Sequence, residues 1–544
     1  MPDINAALRL YTEYYLGELR KAHSLYASGV DGASQAWELL DRNYYQFLRA
    51  QEWASANMND DKTAAFLCLA YPNAAGDLLE CRQDPREHLR WLEDSLSAAL
   101  LLRDPRSVSV VLNSLGVIHA KLGETTKAIA AYERSLQLDL QLGDRGGEAV
   151  VSGNLGAAYA ATGDVRKAIP HYQKQLNLAR ELGDTTTEAN ALNNLGAAHS
   201  TLGEGSKALE YYAHTLAVLE KLADRRAQSR TLVNIGLEYA ALNQWQQAVE
   251  YYTRALVIDR SVGDEQSEGV TLSNLGIACR HLLQTERAMD CFRQSLAIAQ
   301  KHQNGHAEAT AVANLGISYK QLGERETARE LFEKQREIEH QLGNDIGEAK
   351  ALANLATLCD ESQVAQAIAY YEEALDVHQR LGHRSVEAQL LSNLGAAYAH
   401  LGARERSVEC FERALEIARQ IEDPGTEAAT LFNLGMANAW LADWTMAVQF
   451  FRQALVIDRR LQNRVSEVIT LGTLANAFEN LKQFDEALGC YEQRLQAARE
   501  IDDLNSERQE LLNMSRVLES LGDLEGSRRC LMESEDLLAR LQKN

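Results

Sequence analysis

Eight asparagines recur along this chain: Asn154, Asn194, Asn234, Asn274, Asn314, Asn354, Asn393 and Asn433, 40 residues apart except for one step of 39. Each precedes an apolar residue, and in every case but Asn354 a glycine follows that residue. A primary amide donates and accepts at once. A row of such groups can pair with peptide units whatever their side chains, at a net of about 0.5–1.5 kcal/mol per bond. That chemistry is recognition, and nothing around it suggests bond-breaking. The sequence holds no H-E-x-x-H, G-x-S-x-G or C-x-x-C motif, and Gly203-Glu204-Gly205-Ser206-Lys207 has the wrong spacing for a phosphate-binding loop. The thirteen histidines are scattered. No enzyme activity, cofactor or metal is expected.

A fixed period decides first whether the chain is a globular domain or a stack of small units, and here it decides for the stack. Ser114 extends the register backward, and Thr473 and Asn513 extend it forward, giving eleven repeats from about residue 107 to 540. Within one repeat, Leu192, Leu195, His199 and Leu202 recur at helical spacing, as do Ala208, Tyr211, Tyr212, Thr215, Leu216 and Leu219 beyond a break at Leu202-Gly203-Glu204. Two amphipathic helices are therefore predicted per repeat, the first closed by a left-handed glycine. Between repeats, Leu142-Gly143-Asp144, Leu182-Gly183-Asp184 and Val262-Gly263-Asp264 supply a glycine to end one helix and an aspartate to cap the next. His119 and His199 fall at a core position and read as packing residues rather than bases. The glycine two residues after each asparagine other than Asn354 costs roughly 1 kcal/mol in a helix. The expected compensation is close approach of the second helix through its small alanine, such as Ala168, Ala208 or Ala248.

Composition bounds the partners. Seventy-seven acidic against 55 basic residues give a formal charge of -22, which argues against nucleic acid as the partner of the outer surface. No apolar run approaches the roughly 18 residues that span a bilayer, and the N-terminus lacks a signal peptide's order, so a cytoplasmic protein without membrane insertion is expected. Eight cysteines form no C-x-x-C pair, and Cys291, Cys410, Cys490 and Cys530 share one repeat position, a pattern of packing.

These marks resemble the tetratricopeptide repeat: Leu-Gly, an aromatic three residues later (Tyr159, Tyr239, Tyr319, Tyr398, Phe478), then an alanine and an aromatic such as Tyr172 or Phe332. The 40-residue variant is similar to that of Pins-type spindle adaptors and of many bacterial multi-repeat proteins. The resemblance implies an all-α solenoid, a right-handed superhelix of antiparallel helix pairs. The expected organisation is N-terminal capping helices over 1–60, a degenerate repeat over 61–106, and eleven repeats with a C-terminal end helix over 107–544. Residues 37–54, WELLDRNYYQFLRAQEWA, resemble the segment that opens the repeat array of bacterial signal-transduction (STAND) NTPases, through Trp37, Leu40, Asp41, Trp53 and Ala54. Gln46 stands where those proteins usually carry asparagine. Two local departures are expected: an altered bend near Asn354, where LCDESQVAQAI lacks a residue and its turn glycine, and a kink at Pro170 inside a second helix.

On the helical wheel, Asn194 sits about 100° from the core stripe. In the resembled family this position lines a concave groove, where such asparagines hold the backbone of an extended peptide. The alternative is that each asparagine ties its helix to the neighbouring repeat; the residues alone leave both open. Other groove positions, read at fixed offsets, change along the chain. Val150, Gly153, Ala157, Ala160 and Ala161 form a smooth apolar floor; Arg230, Arg280, His281, Lys320 and Lys350 are basic; Phe432, Met436, Trp440, Glu479 and Glu519 follow. The basic positions suggest an acidic or carboxylate-bearing protein or peptide segment, anchored by apolar groups toward Phe432 and Trp440. The function expected is a protein-interaction scaffold or adaptor. The alternative is a sensor module of a bacterial signalling or defence system acting with a separate NTPase or effector.

Overall fold

The computed structural model describes residues 4–541 apart from 28–29, 77, 79–82 and 501–502. Parts of the expected capping, degenerate-repeat and C-terminal segments, and Cys81, lie outside the described residues. The described residues contain 26 α-helices, one 3-10 turn and no strand. They divide into two compact units, Met1–Leu283 and Gln284–Asn544.

In the first unit, helices Ile4–Ala27, Val30–Asn57 and Lys62–Ala75 pack with Pro85–Leu101 and Pro105–Lys121 through one core that includes Leu19, Leu40, Phe47, Tyr71, Leu92 and Leu115. Antiparallel pairs follow: Arg145–Ala161 with Val165–Leu182, Thr185–Thr201 with Gly205–Leu222, and Arg225–Ala241 with Trp245–Val262. The second unit repeats the arrangement from Gly305–Gln321 with Arg325–Gln341 through Leu504–Leu521 with Leu524–Leu541.

The turns form for the reasons legible in the sequence. Gly203 adopts φ 74°, its amide bonds Ser200 O, and the Glu204 amide bonds His199 O. Between repeats, Gly143, Gly183 and Gly263 take φ of 67–68°, and Asp144, Asp184 and Asp264 accept from backbone amides of the following helix. Ala223, Asn243 and Leu283 take the same left-handed turn without glycine, at φ 53–59°.

The helix glycines are compensated differently from the expectation. A Cβ on Gly156 would lie 2.5 Å from the Tyr172 ring, and one on Gly196, Gly236, Gly316 or Gly435 2.5–2.6 Å from Tyr212, Tyr252, Phe332 or Phe451. The second-helix alanines are fully buried, but it is the aromatic ring that occupies the space a side chain would need. Burying a ring of this size outweighs roughly 1 kcal/mol of helix propensity.

Pro170 sits within the continuous helix Val165–Leu182, one bond short at a position well past the first turn. The departure near Asn354 is larger. There the first helix stops at Ala356 after 12 residues and a 3-10 turn, Glu361–Gln363, capped by Asp360, leads into Val364–Arg380.

Candidate functional site

The register asparagines fall into two chemical groups. Asn154 Nδ2 donates to Asn113 Oδ1 at 2.9 Å, Asn234 Nδ2 to Asn193 Oδ1 at 3.3 Å, and Asn433 Nδ2 to Ser392 Oγ at 3.0 Å, each partner lying 41 residues earlier. These three rungs tie first helices of adjacent repeats, as the structural alternative requires. Asn194, Asn274, Asn354 and Asn393 make no side-chain hydrogen bond among the described residues. The residues 41 positions before Asn194, Asn274 and Asn354 are Gly153, Val233 and Ala313, which carry no polar side chain. Asn314 is buried, at 7% exposure.

In the first unit Asn234 lines a cavity of about 680 Å³, together with Asn190, Asn193, Arg230, Val233, Asp264 and Val270 among others. The register residue, the one before it and the one a helical turn earlier therefore face the same concavity, as their spacing on a first helix demands. Thr215 and Leu219 of the second helix Gly205–Leu222 also line it. Arg230 is exposed, and among the described residues it makes no ion pair or hydrogen bond.

The other basic positions have different surroundings. Arg280 is half-buried, and burial lowers the pKa of its guanidinium. His281 stacks parallel on Trp245 with ring centroids 3.8 Å apart. In the second unit, Lys320 Nζ donates to Thr357 Oγ1 at 2.6 Å and burial lowers its pKa, whereas Lys350 is exposed. Arg230, Arg280 and His281 belong to one unit and Lys320 and Lys350 to the other.

Several groove positions read from the sequence are packing residues instead. Gly153 is buried beneath Gln175, whose Nε2 lies 2.3 Å from where its Cβ would be, so it is no open floor. Phe432 packs on Phe451 with centroids 5.6 Å apart, and Met436 is half-buried against the same core. Trp440 is 54% exposed, Val150 48% exposed, and Glu519 exposed. Glu479 accepts from Tyr491 Oη at 2.6 Å and pairs with Arg516 at 2.9 Å.

The remaining polar groups are committed to the fold. His119 and His199 contact Glu124 and Glu204 through Nδ1 at 2.7 and 2.8 Å, and Lys127 and Lys207 complete each cluster. The lysine hydrogen bond first, and then the histidine, hold each glutamate below the usual carboxylate range. No group of three or more His, Cys, Asp or Glu able to hold a metal occurs among the described residues. The seven described cysteines form no disulfide, and burial pushes the Cys68 thiol up to about 12 and those of Cys410 and Cys490 up to about 11. Such thiols are inert packing groups.

Two features escaped the sequence reading. Arg180, Arg260, Arg419, Arg459 and Arg499 each bind a glutamate 8 residues ahead at 2.7–2.9 Å, clamping the end of a second helix to the next repeat. A fixed Arg-to-Glu spacing at the repeat junction was the available signal. Buried Asp139 and Asp458 accept from Ser109 and Thr470, and burial raises the pKa of both carboxyls. Their partners lie on neighbouring helices, so local spacing carried no sign of them.

Solved structures similar to this chain include the following three. The crystal structure of BtubC (BKLC) from P. vanneervenii is similar at 21% identity, covering 41% of this chain and 92% of that one, with a TM-score of 0.36. A Signal Transduction ATPase with Numerous Domains from Pyrococcus horikoshii, which has a tetratricopeptide repeat sensor, is 15% identical over 64% of this chain and 54% of its own, at a TM-score of 0.46. This chain thus aligns with about half the length of that protein. A Rap protein complexed with competence and sporulation factor is 16% identical over 65% of this chain and 99% of its own, at 0.44. These likenesses concern the fold alone. No curated protein matches. The tetratricopeptide repeat sequence profiles match residues 111–146, 147–221, 227–301 and, in overlapping segments, 307–500. With paired helices, glycine-closed turns and ring-filled glycines recurring through the matched segments, this chain is a member of the tetratricopeptide repeat family.

Proposed function

We infer that this protein is a non-enzymatic interaction scaffold of the cytoplasm that takes an extended, acidic peptide or protein segment into the concave face of its first unit. The observation that carries the reading is the cavity of about 680 Å³ whose lining combines the Asn190 and Asn193–Asn234 amides with the unpaired, exposed Arg230. An unpaired guanidinium beside amides is suited to a carboxylate and to the peptide groups next to it. The family is one of protein-interaction scaffolds, which supports the same class of function.

The test is selection of short random peptides displayed on phage against the full chain, followed by affinity measurements on the enriched sequences. Acidic peptides are expected, with Arg230→Glu weakening them roughly tenfold or more, the range of a charge-assisted bond. Failure to enrich any peptide, or affinities unchanged in Arg230→Glu and Asn190→Ala, would sink the reading.

A sensor or regulatory module working with a separate NTPase or effector is the second reading. It rests on residues 37–54, where Trp37 packs edge-on against Tyr26 at 5.8 Å and Leu40 and Ala54 are fully buried. Association with such an NTPase that does not depend on nucleotide would remove it.

A further inference from the structure

Among the described residues five glutamines, Gln46, Gln51, Gln83, Gln175 and Gln335, carry a buried amide atom without a hydrogen-bond partner, and two of them share a repeat position. Gln175 and Gln335 are 8% and 4% exposed, and the Oε1 of each is buried without a hydrogen-bond partner. Both stand 21 residues after a register asparagine, Asn154 and Asn314, on second helices. Their equivalent in the next repeat of the first unit is Thr215, which lines the concave cavity together with Asn193, so this second-helix position looks into the groove. An unpaired buried amide is destabilising, and native interiors satisfy such groups with protein, water or ligand.

Each glutamine coincides with an untied rung. The register that carries Asn234 to Asn193 carries Asn194 to Gly153, which offers no partner, and the Gln175 amide sits where a side chain on Gly153 would be. In the second unit, Gln335 has only the same sequence spacing, 22 residues after Ala313, to the untied Asn354. Where the residue before the register position is polar, as Asn113, Asn193 and Ser392 are, the rung is tied and the second-helix position holds Ser135, Thr215 or Ala414 instead of glutamine.

We propose that Gln175 with Asn194 is a two-amide clamp, which binds one main-chain peptide unit of an extended segment through its N–H and C=O. Two primary amides at one small residue match the donor and acceptor of a peptide group and read no side chain. The Arg230 cavity, in the same unit, supplies charge selectivity. This rests on the groove reading above and adds a second-helix residue to it.

The probe is an acidic peptide enriched by the full chain, measured by fluorescence anisotropy against Gln175→Met, Asn194→Ala and the double variant, with melting temperatures recorded alongside. Methionine keeps the length of glutamine without its hydrogen bonds. The expected result is a loss of roughly three- to tenfold for each single variant and less than the product for the double, with a melting temperature for Gln175→Met equal to or above wild type. N-methylation of one peptide backbone amide should reproduce the loss in wild type and add nothing in Gln175→Met. If Arg230→Glu weakens the peptide while Gln175→Met leaves affinity unchanged, the clamp is overturned and the groove stands. A lower melting temperature with unchanged affinity identifies an internally solvated structural amide and overturns it too. If no peptide is enriched, both readings fall.

Discussion

The repeats of Asn194 and Asn234 share the same core and differ at their rungs. In both, a helix glycine abuts a buried tyrosine, Gly196 against Tyr212 and Gly236 against Tyr252. Yet Asn234 is bonded to Asn193, while the residue 41 positions before Asn194 is Gly153 and Asn194 makes no side-chain hydrogen bond among the described residues. The same residue at the same register is a structural tie in one repeat and an available amide in the next. What separates them is one residue in the preceding repeat, and the core is indifferent to it.

The largest effects should therefore be equal in the two repeats. Tyr212→Ala and Tyr252→Ala are each expected to cost about 3–5 kcal/mol, and Gly196→Ala and Gly236→Ala about 1–3 kcal/mol through overpacking, measured by urea unfolding. A marked inequality between the two repeats would break the claim that their cores are equivalent. Burial raises the phenol of Tyr212 to about 12, consistent with a ring that spends its time away from water.

The rungs should separate where the cores do not. Asn234→Ala removes a bond and strands the Asn193 carbonyl oxygen, so a loss of about 1 kcal/mol is expected, whereas Asn194→Ala should stay within about 0.5 kcal/mol. Equal costs would mean that Asn194 has a structural partner after all. The comparison is sharpened by pairing Gly153→Asn with Gln175→Ala, which makes room for a tie to Asn194. That variant should gain stability and lose peptide affinity together.

A last contrast concerns the turns. Most repeats begin with an Asp or Asn cap, but at one junction the position is His383, whose Nδ1 lies 3.2 Å from that of buried His378. Burial, and then the charges of His383 and Lys350, lowers the pKa of His378. Above the ordinary histidine range both folded and unfolded states hold a neutral ring. As pH falls through it, the unfolded chain takes up a proton that the folded chain resists, so stability is lost toward acid, starting at the ordinary histidine value of about 6.5. His378→Leu should flatten that part of a melting-temperature profile, and an unchanged slope would show that the pair does not report on folding.

Much of this was legible in the residues because it is local. Gly203, Gly143 and Asp184 act within a few residues of themselves, and turn and cap chemistry is written in such short stretches. The repeat period followed from identical spacing, and a departure near Asn354 from a missing residue and turn glycine, although that the helix would stop at Ala356 did not. Other readings failed where the answer lay on another helix. The alanine expected to offset the helix glycines gave way to Tyr172 and Phe332, because ring size, not smallness, fills that gap. Phe432 and Met436 turned inward to pack in the core although they were read as groove positions along with the exposed Trp440.

By itself, then, the amino-acid order determined an all-α array, its period, its turns and the face on which the asparagines stand, since each follows from spacing along a single helix or from one tight turn. Only the tertiary structure decided which amides are tied and which are open. That choice depends on a side chain 41 residues away and on what the second helix inserts beneath it, and such contacts exist only once neighbouring repeats have packed.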